Sequence, residues 1–279
     1  MTTSTTRGGA KVRANGIDIH YVEQGTGAPL VLLHGGFVST GPIWSGTPYS
    51  YIDHMDALAD HFRVIAPDTR GSGATVHDGG SSTLAVLADD VAALIAALDL
   101  DRPLLCGFSE GGQTAAVLSA RHPGIARAIV NDSGFDALDP GSHTFQMARA
   151  MLSGGNPEAT ESDPDAAAGF LMQIGMGDLV ARMQADYDEA QGPDAWRRYF
   201  DMLFSRWTHF PGYGFDDLRS VETPTLVLCG DRDGFCPVEE AVRAYRALPN
   251  GELAVVAAQD HSLSTRKVST AIEFLLRHV

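Results

Sequence analysis

Gly107-Phe108-Ser109-Glu110-Gly111-Gly112 decides how this chain is read. The stretch fits the Gly-x-Ser-x-Gly pattern, in which a serine sits on a sharp turn between a strand and a helix. A serine hydroxyl attacks poorly until a base takes its proton and the backbone holds it exposed and oriented. The turn is strained, and glycines flank it because side chains beside the serine would have no room. Glycine and serine are common in any loop, so the neighbours carry the argument. Pro103-Leu104-Leu105-Cys106 predicts a short buried strand entering the turn. The run from Gln113 to Ala120 predicts a helix leaving it, stopped near Pro123.

Working outward, the same alternation recurs. Lys11 to Glu23 predicts a hairpin turning at Asn15-Gly16, with Ile17, Ile19 and Tyr21 alternating after the turn. Leu30-Val31-Leu32-Leu33 predicts a buried strand ending in His34-Gly35-Gly36, and Val64-Ile65-Ala66 a second, ending in the turn Pro67 to Gly73. Leu84, Leu87, Val91, Leu94, Ile95 and Leu98 mark one helical face. Ala128 to Val130, Thr225 to Cys229 and Ala254 to Ala257 read as further strands, and Val268, Ile272, Leu275 and Leu276 as the stripe of a last helix. Short apolar strands alternating with helices imply an α/β fold, a mostly parallel sheet covered by helices on both faces.

From about Asp136 to Ser220 the rhythm breaks. No strand pattern occurs there; helix-like pieces rich in Phe, Met, Trp and Tyr run from Phe145 to Leu152, Ala166 to Met176 and Trp196 to Trp207. A single crossover helix needs far fewer residues. The expected organisation is a core domain from 1–135 and 221–279, with 136–220 as a helical cap inserted after the strand that follows the serine turn.

Composition narrows the function. With 279 residues and 44% hydrophobic content the chain can bury a large core. A net charge of −15 argues against nucleic acid or an anionic membrane as partner, because both need a basic face. No apolar stretch is long enough to span a membrane, and Met1 to Gly9 lacks the apolar segment of a secretory leader. Cys106 and Cys229 lie in apolar runs and are expected buried and reduced, while Cys236 reads as a loop residue. Three cysteines without metal-ligand spacing predict neither a zinc site nor a disulfide framework. The expectation is a cytoplasmic protein with no metal.

At this point the chain resembles the α/β-hydrolase superfamily, over nearly its whole length. Four segments carry the resemblance in order: His34-Gly35-Gly36-Phe37, Gly107 to Gly111, Gly230-Asp231-Arg232-Asp233, and His261. The serine, acid, histidine order is the one this fold uses. By resemblance Ser109 is the nucleophile, His261 the base and Asp233 the acid that orients it. Asp132 is an alternative acid, since some members place it after the strand following the nucleophile. Asp231 and Asp260 read as turn or loop residues. The resemblance implies an oxyanion hole made by the backbone N–H groups of Phe37 and Glu110, with His34, Gly35, Gly36, Gly107 and Gly111 supporting the two turns.

Two features stay open at this level. The Glu110 side chain either serves the helix dipole or faces the pocket and disfavours anionic substrates. Trp44, Tyr49 and Tyr51 either line an entrance or pack under the cap. The resemblance implies a serine esterase-like enzyme without cofactor, acting through an acyl-enzyme on a small apolar or aromatic ester. Ser109 excludes family members that use an aspartate nucleophile. Lactone hydrolysis, carbon–carbon bond hydrolysis, perhydrolysis, a cofactor-free lyase reaction and a non-catalytic ligand-binding role remain as alternatives.

Overall fold

A computed structural model of the chain describes residues 9–77, 82–135, 141, 143–210 and 212–279. Its centre is an eight-stranded sheet in the order β1-β2-β4-β3-β5-β6-β7-β8. The strands are β1 (Gly9–Ala14), β2 (Ile17–Gln24), β3 (Pro29–Leu33), β4 (Arg63–Pro67), β5 (Leu104–Phe108), β6 (Ile129–Asp132), β7 (Thr225–Gly230) and β8 (Gly251–Val256). β2 is antiparallel to β1 and β4, and every pairing from β4 to β8 is parallel. The hairpin turns at Asn15 and Gly16, both with positive φ (45° and 79°), the conformation that suits the twist of the flanking strands.

Strand residues alternate between two helical layers because side chains along a strand point to opposite faces. Leu30, Leu32, Cys106 and Val130 pack against α1 (Met55–Ala59) and α9 (Thr265–Leu276). Val31, Leu33, Leu105 and Ile129 pack against α2 (Leu84–Ala97) and α3 (Glu110–Arg121). Val227 and Cys229 meet α8 (Val238–Ala247) on that same side. β8 begins three residues before the expected Ala254; it is an edge strand, half exposed, so its apolar signal is diluted. In α9 the buried stripe runs through Val268, Ala271, Phe274 and Leu275, while Leu276 is exposed.

Among the described residues four α-helices lie between β6 and β7: α4 (His143–Leu152), α5 (Pro164–Gln173), α6 (Gly177–Gln191) and α7 (Ala195–Thr208). Their inward residues, among them Met151, Leu171, Met183, Tyr187, Tyr199, Phe200 and Leu203, form an apolar cluster separate from those under the sheet. That cluster also takes Phe37, Val38 and Trp44 from the segment after β3. Trp44 is fully buried and donates its indole N–H to Asp186 Oδ2 at 2.8 Å. Tyr51 is buried on the other side, with its hydroxyl 3.4 Å from Cys106 Sγ. Both therefore pack rather than line an entrance; Tyr49, partly buried, packs on the helical cluster.

The sheet order reverses beside β3: β4 lies on one side and β5 on the other. Loops leaving the carboxyl ends of β3 and β5 diverge from this switch point, where open α/β sheets form ligand crevices. The pairing of Leu33 with Gly107 sets His34-Gly35-Gly36 directly beside Phe108 and Ser109.

Close approach here depends on missing side chains. A Cβ on Gly111 would come 2.2 Å from the Leu33 carbonyl oxygen, inside contact distance to rigid backbone. Gly111→Ala is expected to destabilise by about 1–3 kcal/mol or more, read as a lowered Tm. Gly169 in α5, where a Cβ meets nothing within 4 Å, supplies the contrast: Gly169→Ala should stabilise by about 0.5–1 kcal/mol.

Candidate active site

Ser109 occupies the turn between β5 and α3 with φ 53° and ψ −119°. A non-glycine residue holds that conformation only where its surroundings over-determine it. Here they do: Ser109 N–H donates to the Asp132 carbonyl at 2.8 Å, and the Ser109 carbonyl accepts from Gln113 N–H at 2.9 Å. Gly107 lies so close to the first turn of α3 that a Cβ would be 2.3 Å from the Gly111 carbonyl oxygen.

His261, in the loop after β8, places Nε2 2.9 Å from Ser109 Oγ. Its Nδ1 lies 2.9 Å and 3.0 Å from the two carboxylate oxygens of Asp233, which follows β7. A carboxylate only accepts, so Nδ1 carries the ring proton and Nε2 is left to accept from the serine hydroxyl. Phe108 and Phe235 flank the imidazole, with ring centroids at 5.1 and 4.7 Å. Asp233 Oδ1 also accepts from the backbone N–H groups of Phe235 (2.9 Å) and Cys236 (2.8 Å). Burial pushes the Asp233 carboxyl up, but its bond to His261 and the Cys236 N–H outweigh burial and hold it below the usual carboxylate range. Cys236 is a loop residue as expected, yet it is fully buried beneath this turn.

The other candidate acids go elsewhere. Asp132 is buried and accepts from Lys267 Nζ at 2.7 Å and from the Ser133 hydroxyl at 2.9 Å. Burial raises its pKa, against the pull of the Lys267 charge. Asp231 is exposed and caps the Gln259 N–H, and Asp260 is exposed beside Ser262. Nothing in the sequence pointed to Lys267 as a buried cation, because lysine in the first turn of an amphipathic helix usually faces water.

His34 is the scaffold of its loop. Its Nε2 accepts from Thr69 N–H at 3.1 Å, so Nδ1 is the protonated nitrogen and donates to the Gly35 carbonyl at 2.7 Å. Phe37 takes a left-handed φ of 68°. Glu110 opens α3, but its carboxylate does not face open space: it accepts from Arg206 Nη1 at 3.1 Å and from Trp207 Nε1 at 2.7 Å, both on α7. The pocket-facing reading of Glu110 is thereby corrected. Sequence reasoning missed Arg206 and Trp207, since neither belongs to a local motif.

A cavity with about 460 Å³ of free space, part of it open to solvent, lies over Ser109 and His261. Phe145, Met147 and Met151 of α4, Trp207 of α7 and Phe235 make its walls apolar, and Gln113 and Thr144 add polar atoms. No lysine or arginine is among the described lining residues. No group of His, Cys, Asp and Glu among the described residues has the arrangement of a metal site. No described helix is long and apolar enough to cross a membrane.

The family model for the alpha/beta hydrolase fold matches residues 28–264, and the chain belongs to that family. It is 30% identical over 244 residues to a Serratia proteamaculans protein named as a carbamate hydrolase, RutD, covering 85% of each chain. It is 26% identical over 272 residues to the 2-hydroxy-6-oxo-2,4-heptadienoate hydrolase of Pseudomonas putida, covering 94% of this chain and 92% of that one. Among solved structures, a variant of the meta-cleavage product hydrolase CumD of Pseudomonas fluorescens has the same fold, with TM-score 0.75 and 20% identity over 98% of this chain and 100% of the other.

Asp132→Asn would leave Lys267 as an unpaired buried cation. It is expected to cost about 3–5 kcal/mol of stability, checked by urea unfolding at pH 7.

Proposed function

We propose that the protein is a serine hydrolase that cleaves a carboxylic ester, or a closely related acyl bond, of a small and largely apolar molecule. The observation that carries this reading is the line of hydrogen bonds from Ser109 Oγ through His261 to Asp233 at the floor of an apolar cavity. Ser109 attacks the acyl carbon while His261 Nε2 takes its proton; the imidazolium is stabilised by Asp233 and returns the proton to the leaving group. Water then repeats the sequence on the acyl-enzyme. The backbone N–H groups of Glu110 and Phe37 stabilise the tetrahedral oxyanion. Helices of the 136–220 segment act as a cap, with α4 and α7 supplying the walls that bind the acyl group.

The walls favour a neutral acyl group. A substrate carboxylate would enter an apolar cavity whose described lining residues include no lysine or arginine to pair with it, and an unpaired buried charge is costly. That separates this chain from its heptadienoate-hydrolysing relative, whose named substrate carries a carboxylate.

The test is hydrolysis of p-nitrophenyl butyrate and of the mono-p-nitrophenyl ester of succinate. Wild type should favour the neutral ester by about tenfold or more in kcat/KM. Ser109→Ala should abolish both turnover and labelling by a fluorophosphonate. Asp233→Asn should lower kcat by ~10³–10⁴ with the fold intact. Equal turnover of the two esters would overturn the neutral-acyl reading. Near-normal activity of Asp233→Asn would overturn its role as the acid.

A further inference from the structure

Arg206 and Trp207 lie at the end of α7 and reach down to the serine turn. Arg206 is fully buried, as is the Glu110 side chain it meets. Besides Glu110 Oε1, its guanidinium donates to Ser82 Oγ at 2.8 Å and to the Arg70 carbonyl. Trp207 donates to the second oxygen of the same carboxylate at 2.7 Å. Its indole packs closely against the loop after β3: a Cβ on Gly36 would come 2.1 Å from Trp207 Cζ2. The Phe37 ring meets it edge-on at 5.1 Å and Phe200 of the same helix at 5.9 Å. Phe37, a bulky residue at φ 68°, needs such confinement to keep its conformation.

One end of α7 therefore grips two separate backbone segments. It holds Glu110 through the carboxylate, and Gly36-Phe37 through the indole. These are the two segments whose N–H groups form the oxyanion hole in the reading above, on which this inference rests. The charge matters as well as the geometry. A carboxylate one residue from the nucleophile repels a developing oxyanion, and in a dry site that repulsion is strong. Arg206 offsets it.

We propose that Arg206 and Trp207 are positioning residues: they fix the distance between the Glu110 and Phe37 amides and neutralise the Glu110 charge, so that the turnover rate depends on where α7 sits. Neither needs to touch the reacting atoms. A structural role alone would lower stability; a positioning role lowers kcat with KM nearly constant, because the lost interaction belongs to the transition state.

The experiment compares wild type, Trp207→Phe and the double variant Arg206→Met with Glu110→Gln. Steady-state hydrolysis of p-nitrophenyl butyrate, fluorophosphonate labelling of Ser109 and thermal unfolding are measured on each. Trp207→Phe keeps a ring near Phe37 but removes both the N–H donor to Glu110 and the outer indole carbons that press on Gly36, so it loosens the hold on both segments. It should fold normally and lose about tenfold in kcat, with KM within about twofold. The double variant removes both charges without leaving one buried alone, and should lose about 100-fold in kcat with slower labelling. If the double variant fails to fold, Trp207→Phe decides. An unchanged kcat in Trp207→Phe overturns the proposal whatever happens to Tm. A raised KM at constant kcat also overturns it, by showing that Trp207 is only a cavity wall. A wild type that neither hydrolyses esters nor takes the label overturns the hydrolase reading, and this proposal with it.

Discussion

The structure depends on how closely the first turn of α3 approaches the carboxyl ends of β3 and β5. Backbone meets backbone there with no side chain between: Gly107 against Gly111, and Gly111 against the Leu33 and His34 carbonyls. The approach forces Ser109 into a conformation that an ordinary turn would avoid. It also lifts the serine side chain clear of the helix it precedes, within reach of a histidine arriving from β8, four strand positions away from β3 in the sheet's order. Had β5 been followed by a longer loop, the serine would keep its chemistry but lose its orientation.

Two buried ion pairs flank that turn and are of different origin. Asp132–Lys267 ties the end of β6 to α9 and lies within the sheet domain. Glu110–Arg206 ties the start of α3 to α7, and so joins the sheet to the inserted helices. Buried pairs contribute little net stability, because desolvation cancels much of their attraction, but breaking one leaves a charge that the interior cannot accommodate. Such pairs act as registration marks. Each permits one placement of its helix and penalises the rest, which is what a site built from separate loops requires.

Much of the architecture was legible in the sequence because it is written in local patterns. Apolar runs of three to five residues marked β3, β4, β5, β6 and β7, since strands buried on both faces carry no polar alternation. The hairpin was announced by Asn15-Gly16, and the order of Ser109, Asp233 and His261 followed the strands that carry them. β8 was placed less well because an edge strand is only half buried. The first turn of α9 hid Lys267, whose partner Asp132 is 135 residues away in sequence.

By itself the sequence determined the α/β layering, the position of the strained serine turn and the set of carboxylates that could serve the histidine. Each is a consequence of residue type and spacing along a few neighbouring positions. Tertiary structure alone decided which carboxylate meets His261, that Asp132 meets Lys267 instead, and that the Glu110 side chain belongs to α7 rather than to the cavity. The physical reason is that hydrogen-bond partners are selected by distance and direction in space. Periodicity reports which face of an element is buried, but not which side chain of a remote element that face will meet.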